Sequence, residues 1–114
     1  MIAATAVPTG VPREYDKLVR DDIPAVIEAD GETPVTRVVD GDAYEERLFE
    51  KLDEEVTELR EEPCVDELAD VQEVLAAIQQ RLGVDDDELE RVREGKAAER
   101  GRFEDGIVLE RVED

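Results

Sequence analysis

A mainly α-helical domain, an antiparallel helical bundle with a small two-stranded β element, is the fold class that these 114 residues predict. Three observations carry the expectation. Two long segments, about residues 42–62 and 64–82, repeat apolar residues at helical spacing. Glu62-Pro63 separates them, a connection so short that the two helices must be antiparallel neighbours. Two short runs, PVTRVVD and GIVLERV, carry the β-branched, partly alternating pattern of strands.

Taken in order, residues 1–13 lack both a basic start and an apolar core. They read as a flexible extension and not a secretory signal. The folded domain is expected over residues 14–114. In YDKLVRDDIPAVIEADG a short extended piece leads into a helix capped by Asp21 or Asp22, with Pro24 in its first turn and Gly31 at its end. PVTRVVD is the first strand and stops at the Asp40-Gly41 turn. The next helix places Tyr44, Leu48, Leu52, Val56 and Leu59 on one face, and Pro63 interrupts it. Its successor aligns Leu68, Val71, Leu75, Ile78 and Leu82, with Gly83 as its stop. A more polar helix follows over Asp86–Arg100, ended by Gly101, and GIVLERV supplies a strand to pair with PVTRVV.

Composition narrows the classes of function. Net charge is −20, lysine occurs only at Lys17, Lys51 and Lys96, and asparagine, serine, histidine and tryptophan are absent. Acid-rich, lysine-poor chains suit a halophilic cytosol of molar salt, where the Debye length falls to ~3 Å and self-repulsion is screened. Such charge excludes bare nucleic acid as a partner, which needs a basic footprint. No apolar run reaches the length of a membrane span. Cys64 is alone, which fits a cytoplasmic setting, and no histidine exists to activate it, so it reads as structural filler.

The acids themselves need care, because 34 of them in 114 residues produce roughly ten pairs three apart by chance. Register is the useful signal. On an ideal helix Glu55 falls ~20° from Leu48, and Glu58 sits one turn on at the border of that face. In the following helix Glu67 falls ~20° from Ile78, and Asp70 ~20° from Ala77. Glu58 and Glu67 lie equally far from the turn, as do Glu55 and Asp70 one turn deeper. Folding the hairpin therefore gathers four carboxylates at one level. Buried charges need partners, and a hard divalent cation such as Mg²⁺, which prefers carboxylate oxygens and water, would satisfy them. Hydrated acids on the border of a halophilic helix are the plainer alternative.

The pattern Glu54-Glu55-Val56-Thr57-Glu58, then Glu67-Leu68-Ala69-Asp70, resembles the E-E-x-x-E…E-x-x-D motif of the MazG-like all-α nucleoside triphosphate pyrophosphohydrolases. YDKLVRDDIPAVIEADGETPVTRVV and ERGRFEDGIVLE resemble the flanking blocks of a phosphoribosyl-ATP pyrophosphohydrolase-like, house-cleaning subgroup. The resemblance covers about residues 14–112. Its departures are a short connector, Asp22 where lysine is common, and Arg102 where a second glycine is common.

The resemblance implies a helical bundle of MazG type, Mg²⁺ as cofactor, and cleavage of a nucleoside triphosphate to monophosphate and pyrophosphate. It implies Glu55, Glu58, Glu67 and Asp70 as metal ligands, with Glu54, Glu55 and Glu58 as the catalytic acids and Glu54 a helper. Phosphates are expected to meet Lys17, Arg20, Lys51, Lys96 and Arg100, cations in or beside the matching blocks. The plain role for Lys51 is an i,i+4 pair with Glu55. Phe103 is read as a core residue before a base-stacking one. Two other functions compete: a phosphoribosyl-ATP pyrophosphohydrolase of histidine biosynthesis, and a non-catalytic helical module that binds a nucleotide or a partner. Apolar faces left uncovered by so small a bundle point to a homodimer or higher homo-oligomer.

Overall fold

The computed structural model describes residues 13–114; of the expected extension, residues 1–12 lie outside the described residues. Four helices form: α1 (Ile23–Ala29), α2 (Gly41–Glu61), α3 (Val65–Leu82) and α4 (Asp86–Arg100). Helix α1 carries Pro near its first position, and the chain leaves it through Gly31 at φ +84°, a left-handed conformation that suits glycine. Gly83 ends α3 the same way at φ 71°. Its N–H and that of Val84 donate back to the carbonyls of Gln80 and Gln79. The Asp85 side chain caps α4 by accepting from Glu88 N at 2.8 Å, and Gly101 closes that helix as expected.

The molecule is organised around the hairpin of α2 and α3. These are the only described helices that pack extensively on one another, and residues 62–64 are all that joins them. Leu48 is 2% exposed at the centre, with Val74 and Ile78 against it and Leu18, Tyr44, Leu52 and Ala77 around them. Leu18 comes from the segment before α1 and packs that segment against the hairpin core.

Four expectations need correction. No strand forms among the described residues, so the small two-stranded β element is absent there. PVTRVV and GIVLERV form no backbone ladder among the described residues, and Val35, Val38, Ile107, Val108 and Leu109 are exposed. Alternation sets a local preference; a strand also needs a neighbour to complete its ladder. Second, the inward face of α2 is not continued by Val56, which is exposed, while Glu55 is buried at 6%. Third, the buried stripe of α3 is Val71, Val74 and Ile78, whereas Leu68, Leu75 and Leu82 face outward. Helix α3 is apolar over a wider arc than one neighbouring helix can cover. Phe103 is fully exposed and has no core role, and Cys64 is exposed just ahead of α3.

Candidate metal centre and its groove

The site begins with the turn between α2 and α3. Because so few residues join the helices, acids on either side of the turn come level with one another. Glu55, Glu67 and Asp70 each present a carboxylate oxygen, and these atoms lie within 4.8 Å of one another. Glu55 is buried, and Glu67 and Asp70 are half-buried. Two oxygens, Glu55 Oε2 and Glu67 Oε2, are buried without any hydrogen-bond partner. An orphaned buried carboxylate oxygen is costly unless something completes its shell.

Glu58, the fourth expected ligand, is exposed and lies outside this convergent group. It leans on the site from the rim. A hydrogen bond with Glu55, then burial, then the charges of Glu55, Glu54 and Glu67 push its carboxyl above the usual range. Glu67 is pushed up as well, first by burial and then by Asp70 and Glu55. Both shifts have one origin: too much negative charge in a small, poorly hydrated volume.

Glu54 lies outside the convergent group and is not a free solvated acid. Lys17 Nζ donates to its Oε1 at 2.9 Å and Lys51 Nζ to its Oε2 at 3.0 Å. Burial raises its pKa, but those two hydrogen bonds outweigh burial and hold the carboxyl below the usual range. Lys51 also reaches Glu55 Oε1 at 3.1 Å, the expected i,i+4 contact, so one ammonium clamps two neighbouring acids. Burial lowers the Lys51 pKa, and the hydrogen bonds it donates to Glu54 and Glu55 reverse that and raise it. Arg20 Nη2 donates to Asp70 Oδ1 at 2.7 Å.

How Lys17 and Arg20 get there is something the sequence reading missed. Asp16 takes a left-handed backbone at φ 41°, which aspartate tolerates better than most residues. Arg47 of α2 holds that bend, donating to the Asp16 carbonyl at 2.9 Å and to its Oδ1 at 3.2 Å. The Lys17 ammonium also sits 5.7 Å from the Tyr15 ring centroid. An aspartate before KLVR is a turn signal, but nothing local names Arg47, 31 residues away, as its partner.

A groove of about 610 Å³ opens between this segment and the hairpin, lined by Leu18, Arg20, Tyr44, Lys51, Glu55 and Asp70 among others. It thus joins an apolar wall, two cations and two of the three convergent acids. Lys96 and Arg100 are not brought to it. They lie on α4, which contributes nothing to the groove lining.

Mg²⁺ ligands at ~2.1 Å leave opposite oxygens ~4.2 Å apart. A small carboxylate rotation closes the difference from 4.8 Å, so the donor set fits a hard divalent ion completed by water. Glu55, Glu67 and Asp70 would hold it.

No protein-family model and no solved structure matches the chain. It is 57% identical over 44 residues to an uncharacterized protein of Mycolicibacterium smegmatis. That stretch is 39% of this chain and 45% of the relative, so it spans less than half of either. No described helix is long and apolar enough to cross a membrane.

Proposed function

We propose that the chain is a Mg²⁺-dependent nucleoside triphosphate pyrophosphohydrolase of the MazG-like kind, clearing non-standard nucleotides in a salt-rich cytoplasm. One observation carries the reading. Glu55 is a buried acid with an unpartnered oxygen, and it converges with Glu67 and Asp70 beside a groove that also presents cations. Acids that served solubility alone would splay into water and leave no buried oxygen wanting a partner.

When bound, Mg²⁺ would neutralise phosphate charge and lower the pKa of a coordinated water. The remaining work belongs to the chain's own side chains. Glu55, Glu67 and Asp70 fix the level in the groove at which a phosphate can sit. Glu58, at the rim with its carboxyl pKa raised, is the acid placed to exchange a proton with water entering from solvent. Lys51 holds Glu55 in its inward rotamer, and Lys17 does the same for Glu54, which orients Lys51. Leu18 and Tyr44 form the apolar wall that excludes water on one side. Arg20 is the groove's open cation and the natural contact for phosphate oxygens.

The test is to incubate the protein with Mg²⁺ and a panel of ordinary and modified triphosphates at molar KCl. The expected products are monophosphate and pyrophosphate. Release of single phosphate would indicate another reaction, preference for phosphoribosyl-ATP would move the enzyme to histidine biosynthesis, and no turnover at all would leave a binding module.

A further inference from the structure

The two cations that touch the acidic centre are held very differently. Lys51 lies within a helix, its side chain is 15% exposed, and it bridges Glu54 and Glu55 of the same helix. Arg20 lies in the non-helical segment before α1, its side chain is 55% exposed, and its only ion pair among the described residues is with Asp70. Asp70 is one of the three convergent acids, so Arg20 is paired with a carboxylate that a cation at this cluster would also use. An exposed, singly paired guanidinium is loosely bound.

We infer that Arg20 is an exchangeable counter-ion, seated on Asp70 while the centre is empty and released into the groove when a divalent cation takes the carboxylate. This rests on the proposed metal-dependent reading and adds a residue role to it. The released guanidinium remains tethered beside the groove that it lines, where its planar fork suits two oxygens of a phosphate chain. Arg20 then opposes metal alone and favours metal together with a phosphate chain. Lys51 stays in both states because two acids hold it. The centre thereby resists filling with a bare cation and accepts one that arrives on a polyphosphate.

The deciding experiment measures Mn²⁺ binding by electron paramagnetic resonance, and Mn²⁺–tripolyphosphate binding by calorimetry, for the wild type and Arg20→Gln at molar KCl. Tripolyphosphate carries the phosphate chain with no base to select. Arg20→Gln is expected to bind bare Mn²⁺ about 2- to 5-fold tighter, as for loss of an exposed ion-pair competitor. It is expected to bind Mn²⁺–tripolyphosphate roughly tenfold more weakly, as for loss of charge-assisted hydrogen bonds. A purely structural Arg20 would shift both affinities the same way or neither, and either result overturns the inference while the metal site stands. If the wild type binds no Mn²⁺, the metal-dependent reading itself fails. Far-UV circular dichroism verifies that the variant is folded, and Arg20→Lys, which keeps charge without the fork, should recover the bare-metal value before the tripolyphosphate one.

Discussion

At the scale of single residues, Glu67 isolates the cost of building the centre. Among the described residues it has no cationic partner, unlike Glu54, Glu55 and Asp70. Its folded pKa is raised, so its contribution to stability is full below the ordinary carboxylate value and is lost as pH rises through the raised one. Glu54 has the opposite sign. Its contribution is present above the ordinary value and is lost only as pH falls through the lowered one. Glu67→Gln should therefore make the metal-free protein more stable at neutral pH, with the advantage shrinking as pH falls through the carboxylate range. The same change should weaken metal binding by roughly tenfold or more, because a charged ligand is lost. Thermal melts with and without Mg²⁺ over a pH series, at molar KCl to screen the other acids, test both halves. A variant that melts lower than wild type without metal would contradict the account.

Residue-level legibility was uneven for physical reasons. Register found Glu55, Glu67 and Asp70 because a helix angle converts sequence position directly into direction. It gave Glu58 a border position, and the structure leaves that residue exposed beside the convergent group, since a border position is decided by how closely the second helix approaches. The lysines were informative through their scarcity, yet among them only Lys51 touches a convergent acid, while Lys17 stops at Glu54. Lys96 and Arg100 depended on α4 folding back, and helical periodicity says nothing about where a polar helix docks.

At the scale of elements, the hairpin and α4 should behave as separate energetic units. Leu48 is the most buried side chain of a core only a few residues wide, so Leu48→Ala should cost 2–5 kcal/mol and unfold the hairpin readily. Asp85→Ala removes the α4 cap, worth ~1 kcal/mol locally. Since α4 has no buried residue, that loss should appear as faster amide exchange within α4 and leave the hairpin's denaturant midpoint nearly unchanged. Equal shifts of both regions would mean that α4 is packed on something in solution. The helices were readable from their punctuation: Pro24, Pro63, Gly31, Gly83 and Gly101 each mark a start or a stop. The two strands were not, because their alternation specifies an extended chain and leaves the choice of partner to tertiary structure.

At the scale of the whole molecule, the outward stripe of α3 is the chief unsatisfied feature. Leu68, Leu75 and Leu82 recur every seven residues and are 47%, 46% and 63% exposed. A seven-residue apolar repeat presents a seam suited to another helix. Helix α4 and the apolar C-terminal run are uncovered as well, with Val92, Ile107 and Val108 in solvent. We therefore expect light scattering to give a homodimer or larger assembly, and Leu75→Glu to shift it toward monomer. A monomeric wild type across the micromolar range would remove this expectation. High salt strengthens it, since screening reduces repulsion between copies that each carry a charge of −20.

The brevity of the junction at residues 62–64 has a consequence for how the chain can vary. One additional residue spliced into α3 between Glu67 and Val71 would turn everything beyond it by about 100°, and the buried valines would resist. Separation counted along the polymer is thus a coordinate of the acidic cluster, as firm as any of its oxygens. Drift in side-chain identity on the outer surface is cheap here; insertion or deletion between the acids of α3 and its buried valines is not.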